Sequence, residues 1–215
     1  FITVADIKVD GKSWSGFTAK TTFDISALRN GATKLLAEGG LKAGSYNQIT
    51  LVLDTETDAS GKAPGCYVLD SKGAKKRLEG GSNFAINLTG NLTTYADSTS
   101  AIVIDFDLRK SIVYEQGSTT DYTFVPRAEM SSALRMVTLA GTGKIKGKCN
   151  DGVSDSDKII VYAYQKGTYT SSEYAPQGTS NISFKNAVTS TVVAGDGTFQ
   201  LSFLEKGDYE LHFIS

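Results

Sequence analysis

Apolar residues recur at every second position along most of the chain, and this constrains the fold more than any other feature. Ile49, Leu51 and Leu53 alternate with Gln48, Thr50 and Val52. Phe84, Ile86 and Leu88 alternate with Ala85, Asn87 and Thr89, and Ile102, Ile104, Phe106 and Leu108 with Val103, Asp105 and Asp107. The same holds for Phe199, Leu201 and Phe203, and for Tyr209, Leu211 and Phe213. Successive side chains of a strand point to opposite faces, so each run reads as a strand with one face in a core. Short strands separated by turn signals predict an all-β chain of antiparallel sandwiches. The 22 glycines against 3 prolines suit the tight turns this requires.

One segment has a different period. Leu28, Ala32, Leu35 and Leu36 fall at three- and four-residue steps, with Gly39-Gly40 as a stop, and predict a short helix packed over the end of a sheet. A boundary falls near Gly141-Thr142-Gly143, where a fresh strand begins. The chain therefore divides into a sandwich of residues 1–139 with one short helix and a second sandwich of residues 140–215. Strands of the second are expected at 143–149, 157–165, 181–184, 188–193, 197–204 and 207–213. Residues 166–180 are polar and read as a loop. About 75 residues make a marginal core alone, so docking on the first domain is expected.

Charge narrows the functional classes. The 22 basic and 23 acidic groups are interspersed, leaving a formal charge of −1 and no basic face for nucleic acid. The one basic run, Lys72, Lys75, Lys76 and Arg77, lies beside glycines and reads as a solvated hairpin loop. No stretch reaches the length of a membrane helix. The chain opens directly on a strand at Phe1, as a mature protein trimmed of its leader would. Cys66 and Cys149 match no metal motif. They fit either plain thiols or, in an oxidising compartment, a disulfide tying the first domain to the second.

The chemistry-bearing residues favour binding over catalysis. The only histidine, His212, sits on an alternating strand and is expected on its outer face. Asp105 and Asp107 share a strand face about 7 Å apart, a spacing that would suit glycoside hydrolysis, and Asp54, Glu56 and Asp58 follow another strand. Both groups also fit the solvent phase of amphipathic strands, and no catalytic site is assigned. Asp151, Asp155 and Asp157 form an oxygen-rich loop of a kind that binds calcium, although their spacing fits no EF-hand and a solvated turn is the simpler reading. Alternation sets Tyr162 and Tyr164 against Val161 and Ala163, so one pair is core. Tyr169 and Tyr174, in the polar loop, are the candidate ligand-stacking residues. Three formal N-glycosylation sequons, at Asn87, Asn91 and Asn181, fit ordinary strand and turn chemistry. Asp97-Ser98-Thr99 resembles a short bacterial O-glycosylation signal.

Two phrases carry a family resemblance. One runs Gly31-Ala32-Thr33-Lys34-Leu35-Leu36, then Leu41-Lys42-Ala43-Gly44-Ser45-Tyr46-Asn47-Gln48-Ile49-Thr50-Leu51. The other is Asp105-Phe106-Asp107-Leu108-Arg109-Lys110-Ser111-Ile112, followed by Phe124-Val125-Pro126-Arg127. Over residues 1–137 the chain resembles the bacterial lipoprotein domain of unknown function 4382, with Lys42 standing where that family often has Pro. Gly143-Lys144-Ile145-Lys146-Gly147, Gly195-Asp196-Gly197-Thr198-Phe199 and Leu204-Glu205-Lys206-Gly207-Asp208-Tyr209 make the second half resemble the carboxypeptidase-regulatory-like, prealbumin-type sandwich.

The resemblance implies an extracytoplasmic lipoprotein of Bacteroidetes-type bacteria, outer-membrane or periplasmic. Its contact with the membrane would run only through a lipid anchor upstream of this chain. The expected role is a non-catalytic adhesion or ligand-binding module with a surface glycan or envelope protein as partner and no cofactor. A structural subunit of a surface assembly is the alternative, and a carbohydrate-active enzyme the remote one.

Overall fold

The computed structural model describes residues 1–80, 83–114, 121–149 and 158–215. In chain order its strands are β1 (Ile2–Val9), β2 (Lys12–Ser13), β3 (Thr21–Phe23), β4 (Gly44–Leu53), β5 (Tyr67–Leu69), β6 (Lys75–Glu79), β7 (Phe84–Thr94) and β8 (Ile102–Phe106). The one-turn helix α1 (Leu108–Ser111), β9 (Ile112–Tyr114), β10 (Tyr122–Phe124), the one-turn helix α2 (Arg127–Met130) and β11 (Leu134–Thr138) follow. A 3-10 turn, Leu139–Gly141, leads into β12 (Thr142–Lys148), β13 (Ile160–Gln165), β14 (Thr189–Val192), β15 (Thr198–Glu205) and β16 (Tyr209–Ile214). The fold is all-β.

The first sheet has the order β2-β1-β4-β7, with β3 pairing the other end of β1. The order β5-β6-β10-β9 makes a second sheet and β11-β8 a third, while β12-β15 and β14-β13-β16 complete the set. Every pair is antiparallel except β6 with β10, which run parallel with Leu78 opposite Tyr122. The largest apolar cluster draws on residues 2–134, with Val4, Leu53, Leu78, Val125 and Met130 at its centre. A second gathers Val161, Ala163, Val193, Phe199, Leu201 and Leu204, and a third Tyr162, Tyr164, Phe184 and Ala187.

Alternation is sharpest on β7, where Phe84, Ile86, Leu88 and Leu92 are buried and Asn87 and Thr89 exposed. On β4 both faces are covered. Thr50 and Val52 are as buried as Ile49 and Leu51. Likewise Val161 and Ala163 enter one cluster and Tyr162 and Tyr164 another, so both pairs on β13 are core.

Two local expectations are corrected, and the cysteines take one of the two states left open. The helix over Leu28–Leu36 is absent. Asp24 caps only a 3-10 turn at Ile25–Ala27, and the chain then runs without regular structure to β4. Leu35 is exposed, while Leu36 and Ala37 pack on the first core. A helix of so few residues depends on tertiary packing, and here the Glu38 N–H bonds the Gly16 carbonyl instead. No strand forms at 181–184, where a turn closes on a bridge between Gln177 and Ile182. The two cysteines are free rather than paired. Cys66 is buried under β1, accepting from the Thr3 N–H and donating to the Asp54 carbonyl, whereas Cys149 packs on the second core.

One irregularity positions the site below. Gly143 pairs Leu204 while Ile145 pairs Leu201, so Lys144 alone opposes Ser202 and Phe203. This is a β-bulge, and Phe203 sits in it at φ 59°, a left-handed conformation rare for a bulky residue. The bulge shifts the phase of β15: Leu204 takes the buried place that strict alternation assigns to Phe203.

Candidate functional site

The polar segment between β13 and β14 is an ordered strap with a buried carboxylate at its centre. Glu173 is 4% exposed. It accepts bonds from the Tyr164 hydroxyl (2.9 Å), the Asn186 N–H (3.0 Å), Asn186 Nδ2 (2.5 Å) and Gln177 Nε2 (3.2 Å), and its own carbonyl accepts from Phe184 N (2.7 Å). Burial alone would raise the Glu173 carboxyl, but the bonds from Asn186, Tyr164 and Gln177 outweigh it and hold the group below the usual range. Burial and the bond to Glu173 push the Tyr164 hydroxyl upward. The strap carries Phe184 onto Tyr162 (ring centroids 4.3 Å) and Ile182 onto the first core.

The candidate tyrosines separate on this strap. Tyr174 is 61% exposed, with its edge against Phe184. Tyr169 is half-buried: it stacks on His212 at 3.6 Å, and its N–H bonds Glu210 Oε1. His212 is therefore not a free surface side chain, because the strap folds back over it. Asp151, Asp155 and Asp157 lie outside the described residues. Among the described residues no group of three or more His, Cys, Asp or Glu side chains converges.

The strap and β15 meet the first half along a polar seam, and the aspartates singled out in the sequence lie in it. Asp107 has left the strand to cap α1, accepting from Arg109 N, and its other oxygen accepts from Ser190 Oγ (3.0 Å). Ser190 also accepts from Arg109 Nη1 (3.1 Å). Asp105 stays on β8 and pairs with Arg135 at 2.7 Å, with Thr189 Oγ1 at 3.4 Å. Arg135 spans the seam. Its Nη1 and Nη2 donate to the carbonyls of Phe203 (2.6 Å) and Ser202 (2.9 Å), the two residues of the bulge. A planar guanidinium matches this arrangement, one carboxylate behind and two carbonyls ahead.

Lys110 is the buried cation of the seam, 6% exposed. Its ammonium donates to the carbonyls of Ala187 (2.9 Å) and Lys185 (3.5 Å). Burial lowers its pKa, against the raising influence of Asp107 and Asp105. Further along, Glu129 Oε1 accepts from the Thr179 N–H (2.7 Å) and hydroxyl (2.9 Å). Gly178, at φ 70°, leaves the room, since a Cβ there would collide with Glu129 Oε1. On the far side, Gln200 Nε2 donates to the Asn30 carbonyl (2.5 Å).

A void of about 10 Å³ in the seam, lined by Asp105, Asp107, Lys110 and Arg135, is space for a single water. The other carboxylate group is equally engaged. Asp54 pairs with Lys20 at 2.7 Å, Glu56 with Arg77 at 2.9 Å, and Asp58 caps its own turn through Ser60 and Lys62. Burial would raise Asp54, yet the bonds from Lys20, Thr57 and Glu56 lower it to about 2. The basic run divides in the same way, Arg77 to Glu56, Lys76 to Asp121 and Lys75 toward Asp58.

A wider cleft, about 260 Å³, opens at the end of the seam between β9, β10 and the strap. Val113, Thr123, Phe124, Pro126, Thr179, Ser180 and Asn181 line it. The lining is neutral: an aromatic floor with hydroxyl and amide groups on the rim. Among the described lining residues there is no acid–base pair. Sequence reasoning missed this cleft and the seam residues Lys110, Arg135, Glu129 and Glu173. Lys110 stands between Arg109 and Ser111 and carried no signal of burial. The others carried none either.

A family model described as a domain of unknown function (DUF4382) matches residues 1–126. That span holds Asp105, Asp107 and Lys110 but ends before Arg135 and the whole second half. No curated protein and no solved structure matches the chain.

Proposed function

The chain belongs to the family of the domain of unknown function DUF4382, and from that premise we propose that it is a non-catalytic attachment module of a cell-envelope lipoprotein. In this reading residues 1–139 and 140–215 are two domains, the second a prealbumin-type sandwich, held as one rigid body. The supporting observation is the seam. The paired carboxylates that would otherwise suggest hydrolysis are spent on Arg135, on a helix cap and on Ser190, around a space of one water. Docking two domains this way costs the desolvation of Lys110 and Arg135, and it yields a fixed relative orientation. A fixed orientation is useful to a protein that presents a surface. The cleft of about 260 Å³ spanning both halves is the ligand site we assign, and exposed Tyr174 is a second contact on the strap.

A surface glycan or an extended envelope peptide fits an aromatic floor with a hydroxyl rim. Binding of the purified chain to glycan and peptide arrays tests this, alongside Thr123→Trp, which fills the cleft from a strand position tolerant of aromatics. The expected result is a ligand bound by the native chain and lost in the variant. Binding that survives Thr123→Trp unchanged would move the site elsewhere, and turnover of any arrayed glycan would overturn the non-catalytic reading.

A further inference from the structure

The sheet β14-β13-β16 ends on a bare strand. Lys166 N bonds the Asp208 carbonyl, in register with the β13–β16 ladder. In an antiparallel pair such hydrogen-bonded residues recur at every second position. Asp208, Glu210, His212 and Ile214 therefore point their backbone groups toward β13, and Tyr209, Leu211 and Phe213 point theirs outward. Among the described residues nothing bonds those outward groups.

Among the described residues β8, five residues long, pairs only β11, and the remaining edges are guarded or short. The edge strand β12 carries Lys144, Lys146 and Lys148 on its exposed phase, a familiar protection against edge pairing. β7 has β11 and α2 beside it, and β14 lies against β15. β2, β3, β5 and β9 are only two or three residues long. β16 has six residues, no proline, no lysine, no bulge against β13 and one acid, Glu210.

We propose that β16 pairs antiparallel with β16 of a second copy of this chain, about a two-fold axis through Leu211. The strand is complementary to itself in that register and on both faces. Leu211 meets the second copy's Leu211, and Tyr209 meets its Phe213, each pair exchanging the outward N–H and carbonyl groups. Phe213 is 42% exposed in the single chain, and the pairing covers it with an aromatic partner. On the opposite face Glu210 stands across from His212. Among the described residues Glu210 accepts through Oε1 alone, from Gly167 N and Tyr169 N, and His212 Nε2 is buried without a hydrogen-bond partner. A register shifted by one residue would place outward backbone groups against inward ones, and of the registers that oppose outward groups only the axis through Leu211 engages Tyr209, Leu211 and Phe213 together. The product is a continuous sheet in the order β14-β13-β16-β16-β13-β14.

Sedimentation equilibrium over a concentration series tests this, with the 22.9 kDa chain as monomer. The native chain is expected to dimerise. Phe213→Pro removes one outward N–H and leaves the bonds to β13 intact, so it should give a monomer with unchanged far-UV circular dichroism. Phe213→Lys alters no backbone bond, serves if the proline variant folds poorly, and should weaken the dimer about tenfold or more. Spin labels on Ser215→Cys, in a Cys149→Ser background, should lie about 27 Å apart across the two-fold, from eight residues of strand rise. A monomer at every concentration, a dimer indifferent to both Phe213 variants, or a clearly different label distance overturns the proposal. So does a β16 edge that instead captures a strand of another protein.

Discussion

At the scale of single residues, polar groups placed in loops do most of the organising. Glu173 orders a strap that its sequence marks only as polar, because four donors from Tyr164, Asn186 and Gln177 converge on one carboxylate. Glu129 acts at the other end of the strap. Bonds from Ser180 and from Thr179 lower its carboxyl to about 2, against an ordinary 4.5. A carboxyl lowered on folding stabilises the fold fully above its unfolded value, and the contribution is lost as pH falls through the folded one. The native chain should therefore melt higher than Glu129→Gln at neutral pH. Thermal melts should show that gap closing between about pH 4.5 and pH 2, and a gap unchanged across that window would show that the Thr179 contact does not depend on charge.

At the scale of elements, the seam depends on an irregularity. In a regular β15 the carbonyls of Ser202 and Phe203 would point to opposite edges; the bulge, with Phe203 at φ 59°, turns both to the same side, toward Arg135. Arg135→Ala should cost about 2–3 kcal/mol in urea unfolding, since Asp105 and two carbonyls lose a charged donor together. Arg135→Lys should recover little of it, because an ammonium cannot reach all three acceptors at once. Full recovery by lysine would mean that charge alone holds the seam. The same element shows where sequence reading ends. Alternation located β12, β14, β15 and β16 to within a residue or two, since burial of one strand face is written directly in the pattern. It placed Phe203 inward and extended β8 through Asp107, because a bulge and a helix cap arise from hydrogen bonds between distant segments. The helix expected over Leu28–Leu36 failed for a related reason: the Gly16 carbonyl lies far away in sequence, yet it decides how Glu38 is held. Tyr169 and Tyr174 look alike in sequence, and only the course of the strap sends one under cover and leaves the other exposed.

At the scale of the whole molecule, the distribution of charge bears on the proposed attachment role. Acids and bases are nearly balanced, and among the described residues the two buried charged side chains are held by neutral groups, Lys110 by carbonyls and Glu173 by Tyr164, Asn186 and Gln177. Lys110 and Asp107 lie within the part that matches the family, whereas Arg135, Ser190 and the bulge lie beyond it. In the proposed function these groups join two sandwiches into one rigid presenting body. Residual dipolar couplings of backbone amides, measured separately for residues 1–139 and 140–215 in one aligned sample, test it most directly. In the native chain a single alignment tensor should fit both halves in the orientation described here, and Arg135→Ala should split it into two tensors of different magnitude. Two tensors already distinct in the native chain would contradict the account.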